Sequence, residues 1–192
     1  NMGIRSILSK PLAKWIVYDQ KKWALNPGKF QSNLFRKLIK SGSKTQFGRD
    51  HQFDEIQNHT DFTQRVPIRD YEELKPYINE ILKGKKDVLW PGLPAYLAKT
   101  SGTTSGVKYI PITKDSIPNH INSARNALLS YVNETGNSTF LDKKLIFLSG
   151  SPTLTYTSGI PTGRLSGIVN HLIPTYLKSN QLPSYPTNCL ED

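Results

Sequence analysis

The chain has 192 residues, of which 36% are hydrophobic and 10% aromatic, so it can fold around a hydrophobic core and is not an intrinsically disordered protein. Its formal net charge is +10, from 25 basic and 15 acidic residues, which favours anionic partners such as phosphorylated small molecules, nucleic acid or membrane surfaces. Because the basic residues are dispersed along the chain, a solvated basic surface is the preferred interpretation of this charge.

Cysteine content and hydropathy bear on the cellular compartment. The single cysteine, Cys189, excludes an internal disulfide and suits a reducing environment. No window approaches the ~18 apolar residues of a membrane span. The segment from Ile4 to Leu12 is too short and too polar for a secretory signal. We therefore expect a cytoplasmic protein with one globular domain and no membrane span.

Two helices are predicted at the N-terminus. Apolar residues recur at three- and four-residue steps from Ile4 to Ala24, which predicts an amphipathic helix with an early break or bend at Pro11. A second helix is expected to begin at Asn26-Pro27 and to end near Ser41-Gly42. The stripes that we expect these helices to bury are Ile4, Ile7, Leu8, Leu12, Trp15, Ile16 and Trp23 in the first, and Phe30, Leu34, Leu38 and Ile39 in the second.

The middle of the chain contains one clear helix signal. Residues 45–63 are polar and are expected to be mostly irregular, with a short helix around Glu55-Ile56. Asp70 is a typical N-cap and predicts a helix that stops at Gly84, with a kink or a break at Pro76. Residues 88–90 are expected to be a short extended piece before a turn.

Strand patterns follow. Ala95 to Lys99 and Tyr109 to Ile112 are expected to be strands on either side of a loop, and Pro111 predicts that the second strand lies at a sheet edge or bulge. A helix is predicted from Asp115 to Tyr131, and a buried strand from Lys143 to Leu148. Helices first, then strands alternating with helix, indicate an α/β or α+β class.

The loop between the two strands is the segment most informative about chemistry. It reads Thr100-Ser101-Gly102-Thr103-Thr104-Ser105-Gly106-Val107-Lys108, with five hydroxyl residues, two glycines and a lysine. Glycine lets the backbone approach an anion closely, N–H and hydroxyl groups donate to phosphate oxygens, and Lys108 adds positive charge. The spacing is neither that of the common NTPase phosphate loop nor that of the dinucleotide fingerprint. From composition alone, phosphate binding and a purely structural loop stay equally good interpretations.

The loop and its continuation, Tyr109 to Thr113, resemble the first ATP-binding motif of the adenylate-forming enzymes. The resemblance is narrower still to the Gretchen Hagen three family of acyl-acid amido synthetases, also called auxin-responsive promoter proteins. Further segments resemble signatures of that family in the same order along the chain. These segments are Thr45 to Phe53, Val66 to Tyr71, Val88 to Gly92 and Ser158 to Gly167.

The resemblance implies an ATP-dependent enzyme that forms an acyl-adenylate from a carboxylic acid and then passes the acyl group to the amino group of an amino acid. It implies ATP and Mg²⁺ as cofactors, and ATP, a carboxylic acid and an amino acid as small-molecule partners. It assigns no catalytic residue and no protein metal site to this chain. It assigns phosphate binding to Thr100, Ser101, Gly102, Thr103, Thr104, Gly106 and Lys108.

The fold that the resemblance implies is α/β, with an N-terminal helical layer packed on part of the mixed sheet of an adenylate-forming enzyme's large domain. Residues 1–192 would be the N-terminal part of that domain. The family's second and third motifs, of the types Tyr-x-Ser-Ser-Glu and Tyr-x-x-Gly-Asp, and its small C-terminal domain are absent from the sequence. We therefore expect the chain alone to be a fragment without turnover, whose exposed sheet edges favour self-association.

Candidates outside the loop are weaker. His120 and Arg125, on the helix predicted after the loop, are candidates for the acyl-acid pocket, although a structural histidine and a solvent-facing arginine are the preferred alternatives. His51 and His59 match no metal-ligand spacing, so a solvated polar loop is favoured there. Residues 158–163 form a second loop rich in glycine and hydroxyl groups, for which an acid-pocket wall and a structural hairpin are equally good interpretations.

Two alternative functions stay open. An acyl-CoA ligase-like relative would share the phosphate loop but use another acceptor. A basic module for nucleic acid or anionic lipid would bind in a salt-sensitive way without depending on Lys108. The chain contains no recognition motif with interleaved aromatic residues, so we expect no nucleic-acid partner.

Overall fold

The computed structural model describes residues 3–100, 106–173 and 178–190, and the chain divides into two compact units. The first unit comprises Asn1–Pro27, Asp115–Thr153 and Arg164–Asp192, and the second comprises Gly28–Lys114 and Leu154–Gly163. The assignment of residues 1–192 to the N-terminal part of one large domain stays a prediction.

In the first unit, helix α1 (Ile4–Leu25) packs on helix α6 (Ile117–Thr135). Helix α1 is continuous through Pro11, so the predicted break there is wrong. The proline ring lies at an exposed position, and the helix tolerates the one hydrogen bond that the missing N–H removes. The core of this unit comprises Ala13, Ile16, Leu129 and Val132, with Phe140 and Leu141 packed against them.

The buried face of α1 differs from the predicted stripe. It contains small residues (Ser6, Ser9 and Ala13) together with Ile16, and small side chains allow a close approach of the packed helices. The Ser6 hydroxyl donates to the carbonyl oxygen of Ser138 at 2.6 Å, so the polar part of this face is satisfied. Of the predicted stripe only Ile16 is buried, and the exposed members are Ile4, Ile7, Leu8, Leu12, Trp15 and Trp23.

The remainder of the first unit contains a small parallel sheet. Strand β3 (Leu145–Ile146) pairs in parallel with strand β6 (Gln181–Leu182). The prediction of a long buried strand at this position is wrong, because β3 has two residues and the side chains of Ile146 and Leu148 are exposed. Helix α7 (Leu165–Leu172) and a single helical turn complete the described part of the unit; the turn spans Tyr185–Asn188.

The second unit begins with four helices. Helix α2 (Pro27–Gly42) has the predicted bounds, but of its predicted stripe only Ile39 is buried, whereas Phe30, Leu34 and Leu38 are exposed. The core beside it comprises Ile39, Phe53 and Ile56, with Phe35, Phe47, Phe62 and Val66 packed against them.

The segment predicted to be irregular is largely helical. Helix α3 (Gln46–Asp50) is capped by Thr45, and helix α4 (His59–Arg65) by a capping box of Asn58 and Asp61. A 3₁₀ turn at Phe53–Glu55 lies between them. These helices are shorter than two turns, so their apolar periodicity is too brief to detect in the sequence.

Helix α5 (Tyr71–Leu82) begins where the sequence predicts. Asp70 is the N-cap, and it forms a capping box with Glu73. Pro76 lies inside the helix without ending it. Gly84 follows the helix with a φ of 85°, the left-handed conformation that glycine favours at a helix end.

A four-stranded sheet completes the second unit, in the order β2-β1-β5-β4. The antiparallel pairs are β1 (Tyr96–Thr100) with β2 (Lys108–Ile112), and β4 (Thr155–Thr157) with β5 (Ile160–Arg164). Strand β2 therefore lies at an edge, as its proline predicts. A core of Ile81, Val88, Leu97 and Ile160 joins α5 to the sheet.

The predicted fold class is confirmed as α/β, with helices packed on sheets that include both parallel and antiparallel pairs. The glycine- and hydroxyl-rich segment near residue 158 forms the β4–β5 hairpin, whose turn residues Ser158 and Gly159 have φ angles of 48° and 80°. Within the described part of the chain, no helix is long and apolar enough to cross a membrane.

Candidate phosphate-binding hairpin

The candidate phosphate loop connects two paired strands at the edge of the four-stranded sheet. The β1–β2 register runs from Tyr96 opposite Ile112 to Thr100 opposite Lys108. Residues 101–107 therefore form the connection, and its two ends are held together by antiparallel pairing. The predicted contacts Ser101, Gly102, Thr103 and Thr104 lie outside the described residues. Thr100, Gly106 and Lys108 are described.

The strands form here because one of them faces the core. Leu97 and Ala98 of β1 and Ile112 of β2 are almost completely buried, whereas Ile110 of the edge strand is exposed. Leu97 and Ala98 are adjacent and therefore point to opposite faces, so both faces of β1 are covered at this point. The position of the loop therefore follows from the packing of β1 and β2.

Gly106 adopts a φ of 81°, which residues other than glycine rarely adopt. Among the described residues, no heavy atom lies within 4 Å of the place where a Cβ would be, and Gly106 is exposed. A glycine in the left-handed conformation is compatible with a backbone that approaches an anion closely.

Lys108 is half-buried and lies at the first position of β2. Its Nζ lies 5.2 Å from the centroid of the Tyr71 ring, a cation–π contact. None of the ion pairs among the described residues includes Lys108. Its positive charge is therefore not neutralised by a described carboxylate and is available to an anionic ligand.

Tyr71 contacts this hairpin in a second way that the sequence analysis missed. Its hydroxyl accepts a hydrogen bond from the backbone N–H of Tyr109, with an N–O distance of 2.8 Å. The local signal is only that Tyr71 follows the N-cap Asp70 and begins α5. An N-cap residue indicates where a helix begins, but it does not indicate which strand the helix packs against.

His120 and Arg125, the two candidate acid-pocket residues, are not among the lining residues of the two cavities found in the second unit. His120 and Arg125 are both exposed on α6. The Arg125 guanidinium donates to Oδ1 of Asn126 at 3.0 and 3.2 Å. Both candidates belong to the first compact unit, whereas Lys108 belongs to the second. Their role in an acid pocket stays a prediction.

A small apolar cavity lies beside the hairpin, with a volume of about 120 Å³. This volume is below the ~300 Å³ of the smallest typical ligand pockets. Its lining residues include Val88, Trp90 and Pro111. The cavity is therefore too small for a nucleotide.

Comparison with known proteins decides the family. Residues 18–189 match the profile described as the GH3 family N-terminal domain, which is most of the chain. The chain belongs to the GH3 family. The resemblance to the Gretchen Hagen three family is therefore confirmed.

Two curated GH3 relatives come from Arabidopsis thaliana. The indole-3-acetic acid-amido synthetase GH3.10 is 33% identical over 100 residues, covering 47% of this chain and 17% of that protein. The 4-substituted benzoates-glutamate ligase GH3.12 is 21% identical over 164 residues, covering 85% of this chain and 27% of that protein.

Solved GH3 structures share the fold. The AtGH3.15 acyl acid amido synthetase in complex with 2,4-DB superposes with a TM-score of 0.74 at 19% identity, over 92% of this chain and 31% of that one. A second GH3.15 structure gives a TM-score of 0.66 over 86% of this chain and 28% of that one, also at 19% identity. The chain therefore spans less than a third of the length of the relatives that it matches.

Two segments that resemble GH3 signatures meet behind the hairpin. His51, from the first of them, is 5% exposed, and its ring stacks on Phe47 with a centroid distance of 4.1 Å. Nη2 of Arg69, from the second, lies 3.1 Å from Nε2 of His51. The expectation that His51 lies in a solvated loop is wrong, because helix α3 turns its ring into the core; His59 is exposed as expected. No cluster of three or more potential metal ligands occurs among the described residues.

Tyr77 extends this polar group along α5. Its hydroxyl donates to Oδ2 of Asp50 at 2.8 Å. Partial burial, followed by the hydrogen bond to Asp50, raises the pKa of Tyr77 above its ordinary value of 10.0, while Arg69 acts in the opposite direction. In this GH3 chain the signature segments therefore place the start of α5, and with it Tyr71, against the hairpin.

Proposed function

We propose that the full-length protein containing this GH3 chain is an ATP-dependent acyl-acid amido synthetase. The observation that carries the proposal is the family match together with the position of the loop at the edge of the sheet. Beside this loop, the Lys108 ammonium has no carboxylate partner among the described residues. Such a loop offers main-chain N–H groups and a positive charge to phosphate oxygens. Within the proposal, residues 1–192 are the N-terminal part of the large ATP-binding domain.

The proposed reaction has two steps. In the first, a carboxylate oxygen attacks the α-phosphorus of ATP, the bond from that phosphorus to the bridging oxygen breaks, and pyrophosphate leaves. In the second, the amino group of an amino acid attacks the acyl carbon, the bond to AMP breaks, and the nitrogen loses a proton. Lys108 would bind oxygens of the leaving pyrophosphate and stabilise its growing charge.

A metal ion is a separate question. Mg²⁺ is usually held by one or two carboxylates together with substrate phosphates. The described residues contain no cluster of His, Cys, Asp or Glu that would form a protein-built site. No described residue is therefore assigned to hold Mg²⁺, and we derive no step through one.

The substrate class is proposed from the relatives. Their names refer to indole-3-acetic acid, to 4-substituted benzoates with glutamate, and to a complex with 2,4-DB. We propose an aromatic or aryl-substituted carboxylic acid as the acyl donor and an amino acid as the acceptor. These same compounds form the first panel for an assay.

The test measures pyrophosphate release by the full-length protein with ATP, magnesium and each acid of the panel. Acid-dependent release is expected in the wild type, and we expect Ser101→Ala and Lys108→Ala to reduce it at least ~10-fold, because each removes a donor to a charged leaving group. The control Lys29→Ala removes an exposed lysine from α2 and is expected to have no effect. No release with any acid from folded protein that still binds polyanions would contradict the proposal.

The acceptor is tested separately. With an active acid, amide formation with glutamate and thioester formation with coenzyme A are measured side by side. The amido synthetase proposal expects the amide alone, and a thioester product would indicate the acyl-CoA ligase-like alternative.

Self-association of the isolated chain stays a prediction. Large apolar side chains are exposed on α1, among them Leu8 at 63% and Trp15 at 62%, which supports it. Sedimentation velocity over a concentration series tests it. A monomer at every concentration would contradict it.

A further inference from the structure

Tyr71 makes two contacts with the strand that follows the candidate phosphate loop. Its hydroxyl accepts the N–H of Tyr109 at 2.8 Å, and its ring lies 5.2 Å from Nζ of Lys108. The two contacted residues are adjacent in sequence, and Lys108 is where strand β2 begins after the loop. The Tyr71 side chain therefore contacts both the backbone N–H of Tyr109, just after the loop, and the ammonium group of Lys108.

The hydroxyl contact fixes the backbone. Strand β2 pairs with β1 on one side only, so the N–H groups on its other side have no strand partner. The hydroxyl of Tyr71 satisfies the N–H of Tyr109 on that side. Since Tyr71 is the first residue of α5, this bond joins the strand to a capped helix.

The ring contact fixes the side chain. A lysine has four rotatable bonds, and an exposed ammonium samples many positions at a cost to binding when it is ordered. The face of an aromatic ring attracts the ammonium without neutralising its charge, unlike a carboxylate. The ring therefore restricts the Lys108 ammonium and leaves its charge available for an anion.

From these two contacts we propose that Tyr71 is a positioning residue for pyrophosphate binding, acting through Lys108. The inference rests on the proposed function for its physiological ligand, the β- and γ-phosphates of ATP. It deepens that function, because it places part of the site on α5, outside the loop motif. Tyr71 itself is not a phosphate ligand in this proposal.

The first experiment compares Tyr71→Phe with Tyr71→Leu in the full-length protein. Affinity for inorganic pyrophosphate is measured by calorimetry, without acid or turnover. The phenylalanine keeps the ring and loses the hydroxyl, so we expect the Kd to rise roughly two- to five-fold; the leucine loses both contacts, and we expect roughly five- to twenty-fold. In steady-state assays the KM for ATP should rise in the same order, with the KM for the acid unchanged.

A matched control uses a second lysine–tyrosine contact among the described residues. Nζ of Lys22 lies 4.6 Å from the ring centroid of Tyr18, and Tyr18 is exposed on α1. Tyr18→Leu therefore removes a similar contact that has no connection with the loop. We expect it to change neither the pyrophosphate affinity nor the KM for ATP.

A double mutant separates positioning from a general effect on folding. Lys108→Met alone should weaken pyrophosphate binding, and adding Tyr71→Leu should weaken it no further, because the tyrosine acts through the lysine. A full additional loss in the double mutant would overturn the proposal, as would unchanged affinity in both single Tyr71 variants. If Tyr71→Leu fails to fold, by its thermal unfolding midpoint, Tyr71→Phe in the same cycle decides the question.

Different experimental results would contradict the proposed enzyme activity and the proposed role of Tyr71. If the wild type releases no pyrophosphate with any acid but binds inorganic pyrophosphate in a Tyr71-dependent way, the enzyme proposal fails and the positioning role stands. If acid-dependent release is normal and the Tyr71 variants match the wild type, only the positioning role fails.

Discussion

Arg69 and His51 form a contact between two segments that lie 18 residues apart in the chain, with Nη2 of Arg69 at 3.1 Å from Nε2 of His51. On the other side of the ring, Nδ1 lies 2.7 Å from the carbonyl oxygen of Phe47. A carbonyl oxygen only accepts and a guanidinium only donates, so the ring proton is assigned to Nδ1 and the lone pair to Nε2. The histidine therefore joins helix α3 to the segment that leads into α5.

Loss of this ring should destabilise the second unit. We expect His51→Ala to lower the free energy of unfolding by about 2–3 kcal/mol, because it leaves a cavity beside Phe47 and removes the acceptor that faces Arg69. Urea unfolding measures the change. The exposed His59 provides the control, and His59→Ala is expected to change stability by less than ~0.5 kcal/mol. Equal effects of the two substitutions would contradict the structural role of His51.

The Tyr77–Asp50 hydrogen bond should make stability depend on alkaline pH. Because the folded pKa of Tyr77 is raised above 10.0, mainly by partial burial and then by Asp50, its contribution is fully present below about that pH and is lost as the pH rises through the folded pKa. The difference in free energy of unfolding between wild type and Tyr77→Phe should therefore stay constant up to about pH 10. Above that pH the wild type should lose stability relative to Tyr77→Phe. Urea unfolding of both proteins along a pH series provides the measurement, and a difference that is flat throughout would contradict the assignment.

Asp142 caps the start of α1 from 139 residues away. The N–H of Gly3 donates to its Oδ2 at 2.8 Å and the N–H of Ser6 to its Oδ1 at 3.4 Å. Hydrogen bonding by Ser6, then the N–H of Gly3 and the charge of Arg5, lower the pKa of Asp142 against an opposing effect of desolvation. Because the pKa of Asp142 is lower in the folded protein than in the unfolded chain, the carboxylate stabilises the fold at pH values above its unfolded-state pKa. This stabilisation is lost as the pH falls through the folded-state pKa.

The substitution Asp142→Asn tests this cap. It should reduce the melting temperature at neutral pH and make progressively less difference below about pH 4, where the wild-type carboxylate also becomes protonated. Thermal unfolding at several pH values measures the difference. The reverse trend, with a larger difference in acid, would contradict the capping role.

Gly48 should tolerate no side chain. A Cβ there would fall on the carbonyl oxygen of Gly42, a backbone atom that cannot move aside. We expect Gly48→Ala to cost about 3 kcal/mol of stability or more. Gly28, in the first turn of α2, has nothing within 4 Å of its Cβ position, so Gly28→Ala should be neutral or slightly stabilising. Urea unfolding of the two variants compares them, and similar costs would show that the close approach at Gly48 is not what matters.

Where the signals are local, the sequence predicted the fold well. The bounds of α2 and the start of α5 follow from Asn26-Pro27 and from Asp70, because a cap acts on N–H groups two or three residues away. The edge position of β2 follows from Pro111, which has no N–H to donate. Of the candidate site, Thr100 ends β1 and Lys108 begins β2, so the loop lies between two paired strands as predicted; phosphate binding by Thr100, Gly106, Lys108 and residues 101–105 stays a prediction.

Burial and long-range contacts were not predictable in this way. The apolar stripe of α1 is more hydrophobic than the face that is buried, yet the buried residues include Ser6, Ser9 and Ala13. Ala13 packs with Leu129 and Val132 of α6, and Ser6 donates to the carbonyl oxygen of Ser138. No pattern around Tyr71 indicates that its hydroxyl will meet Tyr109, 38 residues later. Periodicity reports which residues share a face, and only packing decides which face is covered.

The sequence by itself determined the family and the α/β class, and it predicted a phosphate loop between two strands. These features were predictable because motifs, helix caps and strand alternation depend on residues that are close together in the sequence. The tertiary structure alone decided that Tyr71 faces Lys108 and that His51 meets Arg69. These pairings arise from the way α3, α5 and the β1–β2 hairpin pack, and contacts between residues distant in sequence depend on the whole fold at once.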